Sequence, residues 1–366
     1  MKVLHVNDVV YAYAWGDPSA NGGAERYQWL LARAMAQRGW VVTVGVRKAL
    51  PKGECLIIDG VKFVGIGDGN ILRAWYDLLI SEQPDWWFWQ CADHWFGIAV
   101  ELAKFVKVQM MFSAMIDHDV HPRQALSRRP WLWPLYAWGL QRTERIFVQH
   151  EGQLSQLPTS LRSKAAILPG IVRQVSCVTS HDEKRNYVAW VGVLRRPKRP
   201  DKLLEIAKRL PEIVFVVCGG PSSHRTPPGY IEPIVEGLKV LPNVQYLGQV
   251  APEKTLEIIG NAALLLSTSD LEGFPSVFLE SWASGTPVVS LKIDPDHVIQ
   301  RKTLGVVSGS IDGAVRDILA LMQSKERRQE MANNARQHVR EVHSEEAAIR
   351  AIESNITLKE KVNGVH

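Results

Sequence analysis

Short apolar runs of strand length alternate along this chain with stretches whose apolar residues recur every three or four positions, and the alternation starts afresh near the middle. Residues 2–7 (KVLHVN) carry the first buried-strand pattern. The helix read after the Gly-rich segment DPSANGGAER has Leu30, Leu31, Ala34 and Met35 on one face. Gly39 stops that helix, and Trp40–Val46 reads as the next strand. Further strands are predicted near 61–65, 86–90, 108–113 and 145–149, with helices near 71–82 and 134–143. Periodicity fades and charge rises over 170–185, which places an inter-domain connection there. A second set follows, with strands at 187–193, 213–218, 243–247, 262–267 and 287–291. Its helices fall near 201–209, 229–238, 252–260, 276–284, 311–323 and 325–341. Strands alternating with helices build parallel sheets covered on both faces. The expected fold class is α/β, with two Rossmann-like domains and a ligand crevice where their strand ends face each other.

The 366 residues suit two domains, taken as 1–170 and 171–340, with 341–366 a helix or tail free to pack back on the first. Hydrophobic residues make up 46% and charged residues 22%, enough for sizeable cores. The net charge of +5 suits anionic ligands or an anionic membrane surface, and is too small to argue for nucleic acid. Cys55, Cys91, Cys177 and Cys218 lack metal-ligand or disulfide spacing, so they read as reduced thiols in a cytoplasmic setting. The first residues, MKVLHVNDVVYAY, lack signal-peptide features, and no uncharged apolar run approaches membrane-spanning length.

Two segments invite a phosphate. In Asn21-Gly22-Gly23-Ala24-Glu25 the glycines allow close backbone approach and the following helix offers free N–H groups. A tight strand-to-helix turn explains the same residues equally well, and the absence of GxGxxG disfavours a nicotinamide cofactor. The second segment runs from Ser269 to Val289. There a strand ends in Ser/Asp, Gly273-Phe274-Pro275 makes a turn, and a helix begins near Ser276. The amides of Ser276 and Val277 would hold a phosphate, and the carboxylates of Glu272 and Glu280 would accept from sugar hydroxyls. For an isolated Glu pair, dipole complementation and a solvated helix face would be the simpler explanation.

The latter run resembles the E-x7-E segment of the large retaining glycosyltransferase family that includes bacterial exopolysaccharide, lipopolysaccharide and mannosyl transferases, family 4, of GT-B fold. Other features agree in order: Gly22-Gly23, His118-Asp119, Val191-Gly192 with Lys198, Gly219-Gly220, and GTPVVS at 285–290. The likeness spans about residues 1–340. It implies that Glu280 binds the donor ribose, that Glu272 contacts the donor sugar, that Gly23 touches the diphosphate or sugar, and that the amides after Pro275 hold the phosphates. His118 would bond the donor sugar near the reacting carbon, so His118 and Glu272 are the expected catalytic pair. Outside the resemblance, His118 could be a surface-loop residue, and Asp117-His118-Asp119 could be mistaken for a metal-binding DxD. The resemblance implies neither metal nor cofactor.

One departure stands out: Val193 occupies the place where the family usually has Arg. Arg195 or Arg196 could supply that cation, Lys198 falls at the family's Lys, and Arg199 reads as a basic surface turn. The segment 123–145 combines Arg128 and Arg129 with Trp131, Trp133 and Trp138. It reads first as a domain-packing helix, because prolines at 130 and 134 break a long amphipathic face, and second as the edge of an anionic membrane contact. Trp75, Trp86, Trp87, Trp89 and Trp95 read as core or acceptor wall.

The resulting expectation is a cytoplasmic enzyme moving a sugar, with retention, from a nucleoside diphosphate sugar to a hydroxyl of a glycan or lipid-linked glycan, as in cell-surface polysaccharide or glycolipid synthesis. Two alternatives stay open: an epimerase- or phosphorylase-like relative, and a non-catalytic nucleotide-sugar-binding subunit, which Val193 alone favours.

Overall fold

The computed structural model describes residues 1–17, 23–172, 185–223 and 226–363, with side chains through residue 356. Gly22, Cys177 and most of the 170–185 connection lie outside the described residues. The chain divides into two units, one of Met1–Ile171 with Glu345–His366, the other of Val172–Ser344.

Unit 1 opens with β1 (Lys2–Val6), α1 (Asp8–Trp15), α2 (Gly23–Gln37), β2 (Val41–Val46), β3 (Cys55–Ile58) and β4 (Val61–Gly65). It continues with α3 (Ile71–Glu82), β5 (Trp86–Gln90), α4 (Phe96–Phe105), β6 (Gln109–Ser113), α5 (Pro122–Ala125) and α6 (Trp133–Arg142). Then come β7 (Arg145–Val148), α7 (Glu151–Gln156), α8 (Thr159–Arg162) and β8 (Ala165–Ile167). The strands lie in the order β3-β4-β2-β1-β5-β6-β7-β8, parallel except for the β3–β4 pair. Alternate residues feed two cores: Val3, Phe63, Phe88 and Met111 on one face, Leu4, Trp87, Met110 and Phe112 on the other. Period-two alternation of apolar residues on both faces is what a doubly covered parallel sheet requires.

Unit 2 contains β9 (Tyr187–Val191), α9 (Pro200–Arg209), β10 (Val214–Cys218), α10 (Glu232–Val240), β11 (Val244–Gly248) and α11 (Pro252–Asn261). It goes on through β12 (Leu264–Ser267), α12 (Ser276–Ala283), β13 (Val288–Ser290), α13 (Val298–Arg301), β14 (Gly305–Val307), α14 (Ile311–Gln323) and α15 (Lys325–Val342). Its six strands run β11-β10-β9-β12-β13-β14, all parallel. The last helix, α16 (Glu345–Asn363), belongs to unit 1. There it buries Ala348, Ile349 and Ile352 in the core that α2 shares, and Arg33 reaches Glu345 at 2.6 Å.

Two local features depart from the sequence reading. The Gly-rich segment does not directly follow β1, because α1 intervenes. Asn7 caps that helix by accepting from the Val9 amide at 2.9 Å, and Gly16 closes it at φ 76°. Asn followed by Asp was the available helix-start signal, masked by the apolar run around it. Strand β3 was also unforeseen, although Asp59 (φ 49°) and Gly60 (φ 81°) form the left-handed Asp-Gly turn that commonly joins antiparallel strands.

Candidate functional site

In unit 2 the site candidates gather at the carboxyl ends of the central strands, the end at which open α/β sheets bind ligands. After β9 the chain passes Gly192, the 45%-exposed Val193 and the fully buried Leu194, then makes a 3-10 turn at Arg196–Lys198. Thr268, fully buried just beyond β12, fixes that turn: its hydroxyl donates to the Lys198 carbonyl at 2.7 Å and accepts from the Trp190 indole at 3.0 Å. The Asp270 amide adds a bond to the Pro197 carbonyl at 2.9 Å. So pinned, the mostly buried Lys198 ammonium pairs with the equally shielded Glu272 carboxylate, whose Oε1 has no aligned hydrogen bond.

The two arginines separate cleanly. Arg195 is half-buried, and its Nε is enclosed without a hydrogen-bond partner among the described residues. Arg196 is exposed, its backbone amide donates to the Thr226 hydroxyl and its carbonyl accepts from the Arg199 amide, and its guanidinium has no partner among the described residues. Arg199 is spent structurally: it forks onto Asp201 and donates to Asp270 at 2.7 Å, while Lys202 also holds Asp270 at 2.8 Å. Burial works against the Asp270 charge, but its Lys202 and Arg199 bonds outweigh that and lower its pKa.

Helix α12 starts beside Glu272. Pro275 stands at its N-cap and provides no side-chain bond, and no acidic residue occupies the first turn. Its leading amides at Ser276 and Val277 therefore present an uncompensated positive dipole end. Ser276 is exposed there, whereas Glu280 is 6% exposed. Burying a carboxylate is costly, so its placement is constrained. Phe274 anchors the turn with its ring 5.1 Å from His343 and 6.2 Å from Trp282, and Gly273 beside it is half-exposed.

The glycine pair after β10 serves two purposes. Gly219 sits at φ 146°, and a Cβ there would lie 1.9 Å from the Gly192 carbonyl oxygen, so its smallness is demanded by the fold. A Cβ on Gly220 would meet nothing nearer than 3.5 Å, which leaves that position open to a ligand.

In unit 1 the His118 turn follows β6 as a 3-10 segment, Asp117–Val120. Asp119 is 3% exposed and accepts from Met115 N at 2.8 Å, Ile116 N at 3.2 Å and Ala92 N at 3.3 Å. One carboxylate thus ties the loop after β5 to the loop after β6, and Tyr136 donates to its backbone carbonyl at 2.7 Å. Burial raises the Asp119 pKa, against the lowering effect of those amides. Asp117 instead interacts with His150 at 3.4 Å and Gln153 at 3.2 Å, and its pKa is lowered chiefly by the His150 bond. Both aspartates of the Asp117-His118-Asp119 run are thus engaged by groups of unit 1. Among the described residues no group of three or more His, Cys, Asp and Glu side chains is arranged to hold a metal ion. The His118 ring is half-exposed and has no hydrogen-bond partner among the described residues. Gly23 is the exposed first residue of α2, and Gln90 at the end of β5 donates to the next carbonyl, Ala24 O, at 2.7 Å. Sequence reasoning missed Asp119, Thr268 and Gln90 as supports. A buried Asp beside a candidate His was the visible clue to the first; nothing in sequence marked the other two.

The architecture is that of a GT-B fold: two α/β units, each on a predominantly parallel sheet. Sucrose-phosphate synthase from Thermosynechococcus elongatus superposes with a TM-score of 0.75 at 15% identity, covering 99% of each chain. Anabaena HepE, solved with UDP and glucose, gives 0.71 at 13% identity over 98% of this chain and 99% of its own. More particularly, residues 176–338, most of unit 2, match the family model described as glycosyl transferases group 1. Curated relatives include D-inositol 3-phosphate glycosyltransferases. The Corynebacterium urealyticum protein is 33% identical over 45% of this chain and 42% of its own length. That of a Mycobacterium species is 31% identical over 40% of this chain and 33% of its own. The chain thus spans well under half the length of the curated relatives it matches.

Proposed function

We propose that the protein transfers a sugar from a nucleoside diphosphate sugar to an acceptor hydroxyl with retention of anomeric configuration. The observation that carries this reading is the constellation in the group 1 stretch of unit 2, where a mostly buried Lys198–Glu272 pair stands beside an uncapped helix start and the buried Glu280. Lys198, Arg195 and the α12 amides neutralise charge growing on the departing diphosphate. Arg196 is the weaker candidate, being exposed. Glu280 accepts from the ribose hydroxyls, Glu272 and Gly273 meet the sugar, and Gly220 leaves room for the nucleotide.

His118 bonds the sugar near its reacting carbon, and Gly23 touches the diphosphate or sugar. No protein nucleophile is assigned; the leaving phosphate takes the acceptor's proton on the same face of the sugar. Catalysis then rests on positioning and charge stabilisation, with no metal or cofactor. The acceptor is a glycan or lipid-linked glycan of cell-surface polysaccharide or glycolipid synthesis, and the reaction is cytoplasmic. The relatives' names support glycosyl transfer, and the UDP held by HepE supports the donor class. The test is a screen of UDP-, GDP- and ADP-sugars by calorimetry, followed by NMR of the product's anomeric proton. Turnover with the donor's configuration kept supports the reading; nucleotide-sugar binding without turnover would favour a non-catalytic binding subunit.

A further inference from the structure

The Arg/Trp segment of unit 1 is not absorbed by the transfer site. Its inner side does pack: Tyr136, Gly139 and Leu140 are buried, and Gly139 lies against Gly97 of α4 with no room for a Cβ. Its outer side remains uncovered. Trp131, in the 3-10 turn Pro130–Leu132, is 69% exposed, Trp138 on α6 is 48% exposed, and Phe105 at the end of α4 is 77% exposed. Gly97, Glu101 and Phe105 recur every four residues on α4, the stripe that meets α6. Glu101 there accepts from the Trp138 indole at 2.9 Å and pairs with Arg142. Trp138 and Phe105 therefore belong to one continuous surface.

The charge on that surface is one-sided. Arg128, Arg129 and Lys107 are exposed, and Arg123 stacks over the Trp133 ring at 5.1 Å. None of these four cations has an ion-pair partner among the described residues. The neighbouring acids are already taken, Glu101 by Arg142 and Glu144 by Lys104. The three large apolar side chains stand apart among cations and do not form one apolar patch of the kind a protein partner covers. Isolated Trp and Phe side chains with interspersed Arg match a headgroup boundary, where the rings enter the interface and the cations meet lipid phosphates. No described helix is long and apolar enough to cross a membrane. We propose that the outer side of α4, α6 and the Pro130–Leu132 turn docks unit 1 on an anionic bilayer surface.

Flotation of the full chain with vesicles of phosphatidylcholine, alone or doped with phosphatidylglycerol, tests this. The doped vesicles should carry the protein, less so as salt rises. R128E/R129E should weaken that association by about thirtyfold or more, each arginine near an anionic surface contributing roughly fivefold. W131S should weaken it several-fold. Both variants alter exposed side chains and should keep the wild-type circular dichroism and melting temperature. The proposal is overturned if doped vesicles fail to carry the protein, if undoped vesicles carry as much, or if the arginine reversal changes nothing. It is equally overturned if light scattering shows a dimer that these substitutions dissolve.

Discussion

The loop after β6 and the loop after β9 each lie beyond the carboxyl end of a parallel strand, and they are held by opposite charges. After β6, the buried Asp119 gathers three backbone amides, and the His118 ring has no hydrogen-bond partner among the described residues. After β9, a hydroxyl and backbone bonds pin the turn, and cations are presented: Lys198 against Glu272, and Arg195 with a buried Nε unpaired among the described residues. The same kind of loop is therefore built around a buried carboxylate in unit 1 and around a cation–carboxylate pair in unit 2. The difference follows from what each loop buries, since an enclosed carboxylate consumes N–H donors and an enclosed ammonium consumes a carboxylate.

The sharpest break between the two would come from His118→Ala. Transfer should fall by about a thousandfold, the order of a lost transition-state contact, while nucleotide affinity in unit 2 stays put. Near-normal turnover would remove His118 from the reaction. Next in size, Asp119→Ala leaves three backbone amides without their acceptor, and should cost about 3 kcal/mol in urea unfolding of the chain. A loss under about 1 kcal/mol would show that the carboxylate does not organise the turn. Glu280→Ala should weaken nucleotide binding by roughly 1.5–3 kcal/mol, the scale of a hydrogen bond to a charged group. Unchanged affinity in calorimetry would refute the ribose contact.

The smallest effect belongs to Asp270, 35% exposed and paired with Arg199 and Lys202. Its pKa is lowered from the usual 3.8, so its stabilisation is complete above that value and is lost as pH falls through the lower folded one. Solvent screening limits it to under about 1 kcal/mol. Asp270→Asn should therefore flatten the acid limb of the melting curve only below about pH 4. Near neutrality the substitution should lower stability by that whole small contribution, and a loss that persisted unchanged below the folded pKa would mean it had disturbed the basic turn instead.

Much of this arrangement is legible in the amino-acid order, because β-branched and aromatic runs set the strands and helix spacing sets the layers. The stretch from Ser269 to Val289 shows its strand, turn and helix directly, and Glu280 stands on the helix as read. Other parts depend on contacts between residues distant in sequence. Arg195 and Arg196 are chemically alike in sequence, and only the packing of the loop buries one and exposes the other. Gly219 and Gly220 read as a pair, yet the Gly192 carbonyl constrains only the first. Thr268 was invisible for the same reason, since its partners Lys198 and Trp190 come from a different strand and its loop.

The central claim is that the cations after β9 and the amides opening α12 grip a diphosphate. Isothermal titration of UDP, GDP and ADP into the wild-type chain and into Lys198→Ala measures this directly. At least one nucleotide should bind the wild type, and its affinity should fall tenfold or more in the variant, about the strength of one charge-assisted contact. Equal affinity for both proteins, or no binding of any of the three to the wild type, would contradict it.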